Sequence, residues 1–157
     1  MDEDFDRISL FAMATASPAA ALCSGATVQQ EFREADIVVH VLVVAEVSAW
    51  DDDPSAAFIA RWGDGGPSVL YGLRVMETFK GVPGPRVNLF QERNSGAFYL
   101  RPDTEYLLFL NYIRPSPSRP SAARGAMYVR YACGQSKRWD EVRAGDLNTV
   151  RRLSDRD

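Results

Sequence analysis

The feature that most constrains the fold is an apolar run from Ile37 to Val47, inside the segment FREADIVVHVLVVAEV at residues 32–47. Its odd positions are all apolar, whereas its even positions mix apolar residues with His40 and Glu46. Because side chains on a strand alternate between faces, the pattern predicts a strand with one core face and one half-covered face. The many β-branched residues favour a strand over a helix. The run is also shorter than the roughly 18–20 apolar residues of a membrane helix.

Composition and charge are ordinary for one globular domain. The chain has 157 residues, of which 46% are hydrophobic and 25% charged, and this length is enough to bury a core. A net charge of -3 provides no overall attraction to nucleic acid. His40 is the only histidine, so no metal pair can form around it, and we interpret it as structural. No catalytic, metal or cofactor motif is present, and we therefore expect a protein that is not an enzyme and needs no cofactor.

Four further apolar segments, separated by turns rich in Gly and Pro, predict strands. They lie at residues 68–79, 86–91, 105–113 and 126–133, and the third is dense enough to be central.

Two helices are predicted at the ends of this series. A short helix from about Val28 to Ala35 begins with the capping-box pattern of Thr27 and Gln30. A second helix is predicted within residues 139–153, and Gly145 weakens its first half. Together these elements predict a mainly β fold, a five-stranded OB-like β-barrel with a short N-terminal helix and a C-terminal helix.

The segment ISLFAMATASPAAALC at residues 8–23 has the small residues of a signal-peptidase site, with candidate cuts after Ala19, Ala20 or Ala21. The acidic flank MDEDFDR is atypical, and a disordered tail is the alternative. We predict a signal peptide or disordered tail at residues 1–21, a folded domain at residues 22–157, and a secreted or periplasmic location. From the residues alone, the two cysteines are either buried thiols or one disulfide, depending on the compartment.

Several motifs in register resemble the netrin-like domain, and most closely the N-terminal domain of the tissue inhibitors of metalloproteinases. The segment CSGATVQQEFREADIVV at residues 23–39 is similar to the start of that domain, and FKG at 79–81 and EYLLFL at 105–110 are similar to later motifs. Cys133 is followed six positions later by Trp139 and Asp140, as in the family. The resemblance covers roughly residues 23–153. The matching positions at the start are Gln30, Phe32, Ala35, Asp36, Val38 and Val39.

The resemblance implies an OB-like barrel, a Cys23–Cys133 disulfide and a protein-binding ridge made by residues 21–26 and the loop at 48–67. In the family, the amine and carbonyl of an N-terminal cysteine chelate the zinc of a metalloproteinase. Ala21 occupies that position here, so chelation requires cleavage after Ala20, and the bracing disulfide of the first family cysteine is absent. The implied partner is an extracellular or periplasmic protein such as a zinc metalloprotease. The expected contact residues are Ala21, Leu22, Cys23, Ser24, Trp50 and Trp62.

An arginine-rich strip supports an alternative function. No acidic residue lies between Tyr106 and Trp139, a range that contains six cationic residues. Such a strip could bind an anionic glycan, a lipid head group or nucleic acid, although the overall negative charge makes nucleic acid the least favoured. Its members are Arg114, Arg119, Arg124, Arg130, Lys137 and Arg138.

Overall fold

The structure of the protein, a computed structural model, describes residues 25–48, 68–92, 98–114, 123–130 and 134–156. These ranges form two α-helices, one short 3₁₀ helix and six strands. The α-helices are α1 (Val28–Glu34) and α2 (Ala144–Ser154), and the 3₁₀ helix spans Trp139–Glu141. The strands are β1 (Ile37–Ser48), β2 (Val69–Lys80), β3 (Arg86–Gln91), β4 (Glu105–Tyr112), β5 (Met127–Val129) and β6 (Lys137–Arg138).

Five of the strands close into a barrel in the order β1-β2-β3-β5-β4, because β1 pairs with β2 on one side and with β4 on the other. The neighbouring pairs are antiparallel except β3 with β5, which is parallel. β6 adds two residues to β4 outside this ring. The predicted fold class is confirmed: the protein is a mainly β, five-stranded OB-like barrel with an N-terminal and a C-terminal helix.

The barrel interior is filled by one alternating face of each long strand. On β1 this face runs from Ile37 to Val43 at every second residue, and each of these side chains is fully buried. Aliphatic and aromatic side chains from the other strands complete the core, as alternation along a barrel strand requires. They include Val69, Tyr71, Leu73, Leu89, Tyr106, Leu108, Leu110 and Met127.

The interior face of β1 ends earlier than the alternation predicted. The pairing of β1 with β2 shifts between Val43 and Ala45, so that Ala45 lies opposite Gly72. A bulge of this kind inserts an extra residue and moves the following side chains to the other face. Val47 is 57% exposed as a result. The expectation that the odd positions belong to the core is therefore wrong beyond Val43.

A second apolar cluster lies outside the barrel, where the two helices cover it. Val28 and Phe32 of α1 and Val150 of α2 pack against Val38 and Phe109. Val38 is fully buried although it belongs to the outward face of β1. The helices therefore give the start of β1 a second buried face.

Side chains form hydrogen bonds with the unpaired backbone groups at both ends of α1. The Thr27 hydroxyl accepts the Gln30 N–H at 3.2 Å, which confirms the predicted N-cap. At the other end, the Lys80 ammonium donates to the carbonyl of Phe32 at 2.9 Å and to that of Arg33 at 3.1 Å. The Asn111 amide donates to the next carbonyl, that of Glu34. Since these carbonyls have no partner within the helix, the contacts attach α1 to β2 and β4.

The C-terminal part differs from the single helix predicted for residues 139–153. Residues 139–141 form the 3₁₀ helix, Val142 and Arg143 are extended, and α2 begins at Ala144. Gly145 therefore lies in the first turn of α2 rather than in a helix interior, where it would be more destabilising. The predicted strand at 126–133 is shorter in the structure, where β5 spans Met127–Val129 and residues 131–133 lie outside the described ranges.

Candidate functional site

The expected protein-binding ridge lies mostly outside the described part of the chain. Ala21, Leu22, Cys23, Ser24, Trp50 and Trp62 fall in ranges 1–24 and 49–67, which the structure does not describe. Cys133 lies outside the described ranges too. The ridge is described only from Gly25, where the chain enters α1.

Hydrogen bonds of Gln135 connect the start of α1 and the residues before it to the segment between β5 and β6. Its side-chain amide donates to the Ala26 carbonyl at 2.7 Å, and its backbone N–H donates to the Glu31 carboxylate. The next residue, Ser136, is buried, and its hydroxyl accepts the backbone N–H of Phe109 in β4. The start of the domain and the segment after β5 are thus held against the same side of the barrel.

Glu31 is the one buried acidic residue in the described ranges, at 3% exposure. Burial raises the pKa of its carboxyl, and the nearby Glu34 carboxylate acts in the same direction. The hydrogen bond from Gln135 and the positive charge of Lys137 oppose that rise. The second carboxylate oxygen of Glu31 is buried and has no hydrogen-bond partner in the described ranges. Glu31 therefore serves as an acceptor for Gln135 at a desolvation cost.

A polar groove of about 500 Å³ lies beside this contact, between the N-terminal turns of α1 and α2. Lys137 lies across it, with its ammonium 3.4 Å from the Asp146 carboxylate and 3.3 Å from the Gln135 amide oxygen. Sequence reasoning missed this groove, since its two sides, residues 27–29 and residues 135–149, are more than a hundred positions apart in the chain. The residues lining it include Thr27, Gln29, Gln135, Lys137, Arg143 and Asp146.

The arginine-rich strip is divided by the fold. Arg130 pairs with Glu34 at 3.4 Å, and Lys137 and Arg138 pair with Asp146 and Asp140. Arg114 and Arg124 are exposed and make no ion pair within the described ranges, and Arg119 lies outside them. Of the five described members of the strip, three are therefore paired with acidic side chains and two are not.

A second pair of arginines, which sequence reasoning did not select, lies on the outer face of β2 and β3. Arg74 and Arg86 are direct cross-strand partners, and both are exposed. Their neighbours on the same face are Gly72, opposite Asn88, and Leu70, opposite Phe90. The register of β2 with β3 across the KGVPGP turn brings the two arginines together. The turn is too long for its residue types to specify that register.

His40 of β1 lies on a different part of the molecule, in contact with residues from two other elements. Its Nε2 is 2.7 Å from a carboxylate oxygen of Glu105, and its ring stacks on Trp139 with centroids 3.7 Å apart. The side chain is only 12% exposed. These contacts join β1, β4 and the 3₁₀ helix, an arrangement that fits the interpretation of His40 as structural.

The described residues contain no helix long and apolar enough to cross a membrane, and no group of three His, Cys, Asp or Glu side chains placed to hold a metal ion. Comparison with protein-family models and with curated proteins finds no match to this chain. The barrel by itself does not identify a netrin-like domain, because OB-like barrels carry many unrelated functions. The resemblance to the metalloproteinase inhibitors stays a prediction.

Proposed function

We propose that the protein is an exported, non-catalytic protein-binding module that acts like a metalloproteinase inhibitor through its N-terminal ridge. One observation carries the proposal: Gln135, in the segment that follows β5, donates hydrogen bonds to Ala26 and Glu31. The inhibitor resemblance requires this neighbourhood, because it places a cysteine on each of these two segments. An OB-like barrel flanked by two helices is the fold that the same resemblance implies.

The contact of Gln135 with Ala26 supports the proposed Cys23–Cys133 disulfide. Cys23 precedes Ala26 by three residues, and Cys133 precedes Gln135 by two. An extended chain spans about 3.3–3.6 Å per residue, so the Cys133 Cα must lie within about 7 Å of the Gln135 Cα, and the Cys23 Cα within about 11 Å of the Ala26 Cα. The Cα atoms of a disulfide must approach to about 4.4–6.8 Å. These chain lengths permit the pairing, and such a disulfide would be typical of an oxidising compartment.

The proposed inhibition depends on the backbone of a mature N-terminus. After cleavage at Ala20, the free amine and the carbonyl of Ala21 would supply a nitrogen and an oxygen ligand to the partner's zinc, displacing the water of the open catalytic position. The Cys23–Cys133 disulfide, two residues along, would restrict the chain that carries these ligands. Restriction before binding lowers the entropy cost of association and so raises affinity.

The test compares a protein that begins at Ala21 with the same protein whose terminal amine is acetylated and with one extended by Ala20. Each is titrated against matrix-type and thermolysin-type zinc endopeptidases with a fluorogenic peptide. We expect inhibition only by the free Ala21 form, with a loss of at least about a hundredfold in the other two, because both lack the chelating amine at that position. Equal inhibition by all three, or none by the Ala21 form, would refute the proposed mechanism.

A further inference from the structure

The outer face of β2 and β3 has two adjacent exposed arginines. This face contains three cross-strand pairs in sequence, Leu70 with Phe90, Gly72 with Asn88, and Arg74 with Arg86. Phe90 is buried, whereas Asn88 and both arginines are exposed. Residues 69–76 and 86–91 contain no acidic side chain. Neighbouring strands lie about 4.8 Å apart, so the two arginines present adjacent positive charges.

A pair of like charges directly opposite each other destabilises a sheet. Arg74 and Arg86 are exposed, and neither forms an ion pair in the described ranges. Glu77, three positions beyond Arg74 on β2, is instead 3.9 Å from Arg151. Glu105 is engaged with His40. A bound anion would provide the counter-charge that the described protein residues do not.

The opposite end of the same face is covered by an apolar cluster. Ala123 and Ala126 pack with Phe90 in a small apolar cluster, and Leu70 and Ile113 lie against it. Arg114 and Arg124 directly follow Ile113 and Ala123 in the chain and are exposed. Leu70 lies four residues from Arg74, a distance of about 13 Å along a strand. Two exposed arginines therefore follow residues of this cluster in the chain, and one exposed acid, Glu92, lies two residues after Phe90. The principal positive charge of the face is the pair of Arg74 and Arg86.

The middle of the face is a shallow polar surface formed by Gly72 and Asn88. Gly72 has no side chain, and a Cβ at that position would be 3.2 Å from that of Ala45, so the surface there is shallow. Asn88 is exposed and offers both a hydrogen-bond donor and an acceptor. The Asn88 amide can hydrogen-bond the hydroxyl groups of sugar rings. The arginine guanidinium groups can form charge-assisted hydrogen bonds with sulfate or carboxylate groups.

We infer that the outer face of β2 and β3 binds an anionic polysaccharide lying along the strands, with Arg74 and Arg86 as its principal charge contacts. Single-stranded nucleic acid is less well matched, because its binding relies on exposed aromatic side chains that stack on bases. The aromatic residue on this face, Phe90, is 4% exposed. The inference rests on the residues of β2 and β3 and not on the inhibitor proposal.

The test measures the affinity of the full chain for heparin oligosaccharides by fluorescence titration at several salt concentrations. In the double variant Arg74→Gln/Arg86→Gln, we expect affinity to fall at least about tenfold. The slope of log affinity against log salt should fall by about one to two. The matched control is Arg130→Gln/Arg138→Gln, which also removes two positive charges, but from residues that are ion-paired. It should change affinity less than about threefold.

Further measurements separate the alternatives. Arg74→Lys/Arg86→Lys keeps the charge and should recover part of the affinity, and unfolding temperatures identify any variant that is misfolded. Equal losses in the two glutamine variants would show that net charge alone is responsible and would overturn the site. Binding of single-stranded DNA or poly-glutamate as tightly as heparin would overturn the polysaccharide assignment, as would a lack of heparin binding. The protease assay is independent of all these outcomes.

Discussion

At the scale of single residues, Glu31 has the most direct link to the candidate site. Its carboxylate accepts the Gln135 N–H from the segment after β5. Glu31→Ala removes this acceptor and leaves a partly buried N–H without a partner, so we expect the free energy of unfolding to fall by about 1–3 kcal/mol. Glu31→Gln retains an acceptor and should lose less. Urea unfolding of both variants at pH 7 makes the comparison, and equal losses would contradict the role assigned to the hydrogen bond.

The same carboxyl predicts a pH dependence of stability. Its pKa in the unfolded chain has the ordinary value of 4.5, and burial raises the pKa in the folded state. Above pH 4.5 the folded state therefore binds more protons than the unfolded state, and stability falls as the pH rises through the raised pKa. Glu31→Gln has no carboxyl at this position, so its stability does not fall for this reason as the pH rises. We therefore expect the stability deficit of Glu31→Gln relative to the wild type to shrink as the pH rises above 4.5, whereas a deficit that grows with pH would contradict the raised pKa.

The residue-level predictions from sequence succeeded where the chemistry is local. The Thr27 cap depends on a contact three residues away, and the structure contains it. The contact between His40 and Glu105 joins residues 65 positions apart, so it follows only from the pairing of β1 with β4. The role of Gln135 was missed for the same reason. No local pattern distinguishes a glutamine that donates to Ala26 from one exposed on a loop.

At the scale of elements, the turn after β2 depends on Gly81. Its φ is +78°, and a Cβ there would be 2.7 Å from the Asp36 carbonyl oxygen and 3.0 Å from Ile37. Gly81→Ala therefore adds a backbone clash, where α1 passes into β1, to the cost of a left-handed conformation. We expect a loss of more than about 2 kcal/mol.

Gly125 provides the matched control for this prediction. Its φ is also positive, at +70°, but a Cβ there has nothing within 4 Å. Gly125→Ala should cost only the conformational term of about 1–2 kcal/mol. Thermal unfolding of the two variants in parallel measures the difference. Equal destabilisation would show that the contact between the turn and the start of β1 contributes nothing.

The periodicity of apolar residues predicted which strands and helices are present, but not where each of them ends. The alternation in β1 correctly assigned Ile37 to Val43 to the core, but nothing in it marks the bulge that exposes Val47. The predicted C-terminal helix has helical spacing throughout, yet Trp139 instead stacks on His40. Tertiary contacts of this kind override local propensity.

At the scale of the whole molecule, the fold class was predictable, but the arrangement of surface charges was not. Five apolar segments without intervening helices restrict the chain to a small number of β architectures. The surface charges depend on register and on which strands become neighbours. Arg74 and Arg86 are adjacent through a hairpin register, whereas Arg130, Lys137 and Arg138 are neutralised by acids from other elements.

The ring of strands has its shortest pairing at β5, and this bears on the proposed disulfide. β5 has three residues, and its pairing with β3 consists of Leu89 with Met127. Cys133 lies four positions after the end of β5. A bond from there to Cys23 would tie this part of the barrel to the chain entering α1, in addition to the hydrogen bonds of Gln135.

The disulfide would also close a loop of 110 positions between Cys23 and Cys133. In the chain-entropy model, a loop of this length contributes about 4–5 kcal/mol by restricting the unfolded state. We expect a reductant to lower the free energy of urea unfolding of the oxidised protein by an amount of that order. Cys23→Ser/Cys133→Ser, the matched control, should unfold like the reduced protein and not respond to reductant. Two titratable thiols in the protein recovered from an oxidising compartment would contradict the pairing, and with it the support that the pairing lends to an inhibitor-like ridge.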